Sequence, residues 1–110
     1  MKKIISEQGD QITGILMNII DYNNGMLLTT TEYLAEVKKL AEENNVILIF
    51  DDILSCFKTG LTCGQGYYGV TPHLCTLAKA MTNDVPLGLV AGKKEIIDKI
   101  MDPVDPVISG

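Results

Sequence analysis

Two residues at one fixed separation carry the chemical interest of this sequence. Asp51 ends the apolar run Val46-Ile47-Leu48-Ile49-Phe50, and Lys79 ends Leu74-Cys75-Thr76-Leu77-Ala78, 28 positions later. A short run of β-branched and large apolar residues reads as a buried strand. An acid at the carboxyl end of such a strand stands where open α/β sheets bind their ligands. A buried carboxylate facing a buried amine is then a chemical arrangement as well as a packing one. The packing alternatives are a buried ion pair, or a lysine whose stem packs while its head reaches water. Spacing alone favours those alternatives.

Other constellations carry less. The run ending in Asp51 and Asp52 has the form of a Mg²⁺-binding strand in nucleotide hydrolases, but that chemistry needs a phosphate loop, G-x-x-x-x-G-K-[ST]. The stretch Gly88-Leu89-Val90-Ala91-Gly92-Lys93-Lys94 is one residue too short for it and lacks the hydroxyl. Gly64-Gln65-Gly66-Tyr67-Tyr68-Gly69 satisfies G-x-G-x-x-G literally. A dinucleotide fingerprint must follow a strand and open a helix, whereas here a loop precedes it and Pro72 stands where the helix should start. Cys56, Cys63 and Cys75 have no C-x-x-C spacing and are odd in number, and His73 is the single histidine. Buried free thiols are expected, with neither a disulfide framework nor a zinc site.

The net charge of −5 argues against nucleic acid as a partner, since phosphate binding needs a basic face. No apolar run reaches the length of a membrane span, and the polar residues 6–10 cut short the apolar start that a signal peptide would need. A cytoplasmic protein is expected.

The elements that must position Asp51 and Lys79 follow from the hydrophobic pattern. Residues 2–8 read as helix closed by Gly9, and residues 11–20 as a strand. Residues 21–25, Asp-Tyr-Asn-Asn-Gly, form a turn whose Asn-Gly supplies positive φ. Residues 31–44 are the clearest helix, with Thr31 as N-cap and Leu34, Val37, Leu40 and Ala41 on one face. Strand, turn, helix and strand make a βαβ unit, so the first strand and the one ending at Asp51 should be parallel. Residues 59–69, with four glycines, read as a long surface loop. Short strands are expected at 74–77 and 86–91, a helix over 93–101, and a turn-rich exit at 102–106. An open sheet of about four strands with so few helices leaves one face poorly covered, and the chain reads as a piece of something larger.

The wording around the pair is specific. Ile49-Phe50-Asp51-Asp52-Ile53, Phe57-Lys58, the loop Gly64-Gln65-Gly66-Tyr67-Tyr68-Gly69-Val70-Thr71-Pro72 and the segment 74–79 together resemble the class III pyridoxal-phosphate aminotransferases. Within them the sequence is most similar to the glutamate-1-semialdehyde 2,1-aminomutase group. The resemblance runs from about Gly9 to Gly110. It implies an α/β fold, part of the large domain of the fold-type I transferases, with a mainly parallel seven-stranded sheet between helices. Residues 1–110 would be a single incomplete segment of that domain. It also implies that Lys79 forms the Schiff base with pyridoxal 5'-phosphate and shuttles protons, with Leu77 and Ala78 as an apolar wall. Asp51 would pair with the pyridine nitrogen so that the ring accepts carbanion charge, and Ile53 would pack on the ring face.

Departures from the family wording are Asn18-Ile19 for an acid and a proline, Asp52 for glutamate, Cys56 for glycine, Lys58 for arginine and His73 for aspartate. Thr82-Asn83-Asp84 replaces a glycine triplet, where glycine would allow close approach or positive φ. The implied activity is amino-group transfer on a small amino acid or amino-aldehyde, including conversion of glutamate-1-semialdehyde to 5-aminolevulinate, by a complete member that is a homodimer. The alternative is a truncated, non-catalytic homologue acting through another chain. Family members are several times longer, and their cofactor-phosphate cradle lies upstream of the part matched here, so weak cofactor binding is expected of the chain alone.

Overall fold

The computed structural model describes residues 1–82 and 84–101. The expected turn-rich exit at 102–106 and the end of the chain lie outside the described residues.

Four strands form the main sheet: β1 (Gly14–Asn18), β4 (Ile47–Asp51), β5 (Leu74–Leu77) and β6 (Leu89–Gly92). Their order is β1-β4-β5-β6. The first three are mutually parallel, and β6 runs antiparallel to β5. A two-stranded antiparallel ribbon, β2 (Ile20–Asp21) with β3 (Leu27–Leu28), follows β1. The helices are α1 (Lys2–Gln8), α2 (Thr31–Glu43), α3 (Cys63–Tyr68) and α4 (Lys94–Ile100). This is an α/β fold with a mainly parallel sheet, as the pattern predicts.

Helix α2 is the crossover between parallel strands. Its cap is Thr30, one residue earlier than expected, whose side chain accepts the Tyr33 amide hydrogen at 3.2 Å. Leu34, Val37 and Ala41 are buried, while Lys38 and Glu42 pair at 3.1 Å on the outer side. Such i,i+4 pairs add only about 0.3 kcal/mol each, so the apolar stripe anchors the helix. After Glu43, Asn45 takes φ +55 and the Val46 amide returns to the Ala41 carbonyl at 2.9 Å. The chain thereby enters β4 without a further loop.

Side chains alternate across the sheet. Leu48 and Phe50 of β4 are fully buried and join Leu34, Val37, Ala41, Ile19, Tyr68 and Cys75 in the core. The register pairs Leu16 with Ile49 and Asn18 with Asp51 on the opposite face, where Leu16 is 65% exposed. The core therefore fills one face only, as expected for a sheet with so few helices.

Two further expectations gain detail and one is corrected. Gly9 closes α1 as expected, but with the right-handed values φ −51 and ψ −40, and the chain continues there into a 3-10 turn, Gly9–Gln11. In the turn after β2, the Asn-Gly pair supplies positive φ at Gly25, as expected, and Met26 is positive too; Asn23 and Asn24 also donate their amides to the Asp21 carboxylate at 3.1 and 3.2 Å. The glycine-rich stretch at 59–69 is not a surface loop, because its second half is α3, with Cys63, Gly64 and Tyr68 buried. A β-carbon on Gly64 would lie 1.7 Å from Cδ1 of the buried Ile19. Glycine here permits close packing, and Gly69, at φ +65, ends the helix.

Candidate active site

Parallel pairing brings the carboxyl ends of β1, β4 and β5 side by side, with Asn18 opposite Asp51 and Asp51 opposite Thr76. Lys79 follows two residues after β5, in the 3-10 turn Lys79–Met81. A cavity of about 160 Å³ opens at this edge, lined by Asn18, Ile20, Asn23, Asp51, Ile53, Leu54, Ser55 and Lys79. The structure thus brings Asp51, Ile53 and Lys79 to one place.

Burial differs from the expected buried pair. Asp51 is half-buried and Lys79 is exposed, and no ion pair joins them within 4 Å among the described residues. The ion-pair alternative therefore does not describe this site. Oδ1 of Asp51 accepts two long hydrogen bonds, from the Ile53 amide at 3.3 Å and from Oγ1 of Thr76 at 3.4 Å. Oδ2 accepts none from the described residues. Leu77 packs into the core on the other face of the sheet, so it is no wall beside the amine. The alternation that turns Thr76 toward Asp51 turns Leu77 away.

The buried acid is Asp52, which is 2% exposed. It accepts the Ser55 hydroxyl on Oδ1 and the Gly64 amide on Oδ2 at 2.7 Å. Its own amide donates to the Thr76 carbonyl at 3.1 Å, and its carbonyl accepts from the Cys56 amide at 2.9 Å. Adjacent carboxylates therefore have separate roles, Asp51 facing the cavity and Asp52 tying the following loop to α3 and β5.

Lys79 takes φ +51, a left-handed conformation uncommon outside glycine and found at functional positions. Thr82 is in the right-handed region at φ −113, so it needs no glycine, whereas Asp84, the other described residue of that triplet, is left-handed at φ +79. Lys58 sits 5.4 Å from the centre of the Tyr22 ring, joining the loop after β4 to the turn that carries Asn23. Sequence reasoning left Asn23 unassigned and treated Asn18 only as a departure. The parallel register was the available signal for Asn18, since it makes Asn18 the neighbour of Asp51.

The three cysteines are free and buried, and no cluster of metal-ligating side chains occurs among the described residues. No helix among those residues is long and apolar enough to cross a membrane.

Comparison with known proteins agrees with this architecture. The pattern of the aminotransferase class-III family matches residues 1–104. A glutamate-1-semialdehyde 2,1-aminomutase of Methanobrevibacter smithii is 38% identical over 107 residues, covering 97% of this chain and 25% of that protein. The Methanococcoides burtonii protein of the same name is 37% identical, covering 91% and 24% respectively. Among solved structures, an omega-transaminase from Sphaerobacter thermophilus superposes with a TM-score of 0.89 at 22% identity, over 99% of this chain and 25% of that one. A second, from Thermomicrobium roseum, gives 0.85 at 25% identity, with 99% and 25% covered. The chain spans about a quarter of the length of the curated relatives it matches. The parallel strands that pair Asp51 with Thr76, the lysine after them and the match over residues 1–104 place this chain in the class III aminotransferase family.

Proposed function

We propose that the chain carries the cofactor-linking part of a pyridoxal-phosphate-dependent aminotransferase or 2,1-aminomutase active site. The observation that supports this most is the shared cavity of Asp51, Ile53 and Lys79, in a chain of the class III family. The residues present fit the cofactor: Oδ2 of Asp51 has no donor among the described residues, and Lys79 is in no ion pair there. Bound pyridoxal 5'-phosphate supplies an electron sink for charge developed at the substrate carbon.

Each residue then has a defined task. Asp51 would hold a proton on the pyridine nitrogen through a charge-assisted hydrogen bond. Lys79 would hold the cofactor covalently through Nζ, and its amine, once displaced from that linkage by the substrate's amino group, would take and return the proton at the substrate carbon. Ile53 would cover one face of the ring. The substrate class is a small amino acid or amino-aldehyde, with glutamate-1-semialdehyde as first choice from the aminomutase relatives. The complete assembly is proposed to be a homodimer.

The test is borohydride trapping with pyridoxal phosphate, followed by peptide mass mapping. The chain has nine basic residues, all lysines. Stoichiometric labelling of Lys79 alone, abolished in Lys79→Ala and weakened in Asp51→Ala, is expected. Labelling spread over other lysines such as Lys2 and Lys93 would overturn the reading.

A further inference from the structure

Lys79 has an uncommon backbone, and something must hold it. Its 3-10 turn supplies two main-chain bonds, from the Met81 amide to the Ala78 carbonyl at 3.2 Å and from the Thr82 amide to the Lys79 carbonyl at 3.0 Å. Each of those carbonyls also receives a side-chain donor. The Cys56 thiol lies 2.9 Å from the Ala78 carbonyl oxygen, and Oγ1 of Thr82 lies 3.1 Å from the Lys79 carbonyl oxygen. These carbonyls belong to the two peptide groups flanking Lys79. At both positions, Cys56 and Thr82, the family wording that the sequence resembles has glycine, which has no side chain to make such a bond.

The thiol is rigidly placed. Cys56 is fully buried, and its amide donates to the Asp52 carbonyl at 2.9 Å. The Asp52 carboxylate is in turn fixed by Ser55 and Gly64. The segment that begins at Asp51 is therefore connected, through one sulfur, to the peptide that precedes Lys79.

We infer that Cys56 and Thr82 are positioning residues, a side-chain clamp on the two peptides around Lys79 that keeps the lysine left-handed and its amine at the Asp51 cavity. The inference rests on the role proposed for Lys79, and it deepens that reading by assigning two residues that act through it. Neither lines the cavity that Asp51 and Lys79 share. Holding a reactive amine in one geometry removes orientational freedom that the reaction would otherwise have to overcome.

The experiment uses the 110-residue chain and two paired substitutions. Cys56→Ser and Thr82→Ser keep a hydroxyl donor, whereas Cys56→Ala and Thr82→Val lack one. Amide hydrogen exchange at Met81 and Thr82 is expected to quicken severalfold in Cys56→Ala and Thr82→Val. It should remain close to native in the serine variants, with the Leu48 and Phe50 amides unchanged throughout. Equal exchange at Met81 and Thr82 in all five proteins overturns the clamp, as does a serine variant that exchanges as fast as its donor-less counterpart.

If Cys56→Ala does not fold, the Raman S–H stretch of the native chain decides for the thiol. A band at lowered frequency that disappears in Cys56→Ser supports the hydrogen bond, and its absence overturns it. Borohydride trapping separates this inference from the reading it rests on. Native chain that fails to label at Lys79 removes the functional reading, while exchange and Raman still report on the clamp. With native labelling intact, the clamp predicts a severalfold loss of Lys79 selectivity in Cys56→Ala, recovered in Cys56→Ser.

Discussion

The imidazole of His73 takes the place of a backbone carbonyl toward Leu48. Its Nδ1 accepts the Leu48 amide hydrogen at 2.8 Å, while the His73 amide donates to the Leu48 carbonyl at 2.9 Å. The two residues thus exchange a pair of bonds just before the β4–β5 ladder begins at Ile49 and Leu74. Nδ1 accepts only while it is unprotonated, with the ring proton on Nε2.

That bond makes the ladder pH-dependent. Burial lowers the pKa of His73, Lys38 and Lys93 lower it further, and Glu42 and Glu95 oppose them. The folded chain thus resists a proton that the unfolded chain accepts near about pH 6.5. Stability is fully held above that value and is lost as pH falls below it toward the lower folded pKa. In His73→Asn, Oδ1 stands the same number of bonds from the backbone as Nδ1 and does not titrate. Urea unfolding at about pH 7.5 and about pH 5.5 should show a fall in stability for the native chain and a much smaller one for His73→Asn. His73→Ala should cost about 1–3 kcal/mol even at the higher pH, because it strands the buried Leu48 amide. Identical pH profiles for the native chain and His73→Asn would refute this account.

Gly64 is the tightest packing point near the site. A methyl group there would meet Ile19 at 1.7 Å and approach Oδ2 of Asp52 to 3.1 Å. Ile19 is wholly buried and cannot swing into solvent. Gly64→Ala is therefore expected to destabilise by about 1–3 kcal/mol or more, despite alanine's better helix propensity. Denaturant titration checks this, and a stabilised Gly64→Ala would show that α3 is free to shift.

Most of the frame was readable from periodicity. Leu34, Val37 and Ala41 recur at helical spacing, the run at 46–50 is uniformly apolar, and the crossover between them requires parallel strands. The site was legible only in part. Burial was assigned to Asp51 and Lys79, yet the alternation that buries Leu48 and Phe50 also carries Asp52 inward and Asp51 outward. That signal was present in the sequence. The nature of α3 was not, because glycines that permit close packing and glycines that loosen a loop look the same until Ile19 is placed against them. Nor could the thiol contact of Cys56 be foreseen, since it joins segments 22 positions apart.

The open face of the sheet has a consequence in solution. Leu16 is 65% and Val90 47% exposed, on the face that also carries Ile49. Apolar exposure on this scale promotes association. Light scattering of the chain made alone is expected to show concentration-dependent self-association. Leu16→Lys should reduce it while changing unfolding free energy by no more than about 0.5 kcal/mol, as for an ordinary surface substitution. A native chain that stays monomeric at high concentration would contradict this.

The adjacent acids Asp51 and Asp52 should respond in opposite ways to the same substitution. Asp52 is buried and uses both oxygens as acceptors. An asparagine there keeps its oxygen for the Gly64 amide and turns its amide nitrogen to the Ser55 oxygen, so the Ser55 proton loses its carboxylate acceptor, and losing hydrogen bonds to a buried charge costs about 1–3 kcal/mol. Asp51 is half-buried and its bonds are long, so Asp51→Asn should change stability by less than about 1 kcal/mol. Its effect should fall on the cofactor, because the amide loses the charge that would hold a proton on the pyridine nitrogen. Removing a charge-assisted bond worth about 1.5–3 kcal/mol predicts pyridoxal phosphate affinity at least about tenfold weaker. Absorbance titration with the cofactor and urea unfolding of both variants make the comparison. A destabilised Asp51→Asn with unchanged cofactor affinity would reverse the two assignments.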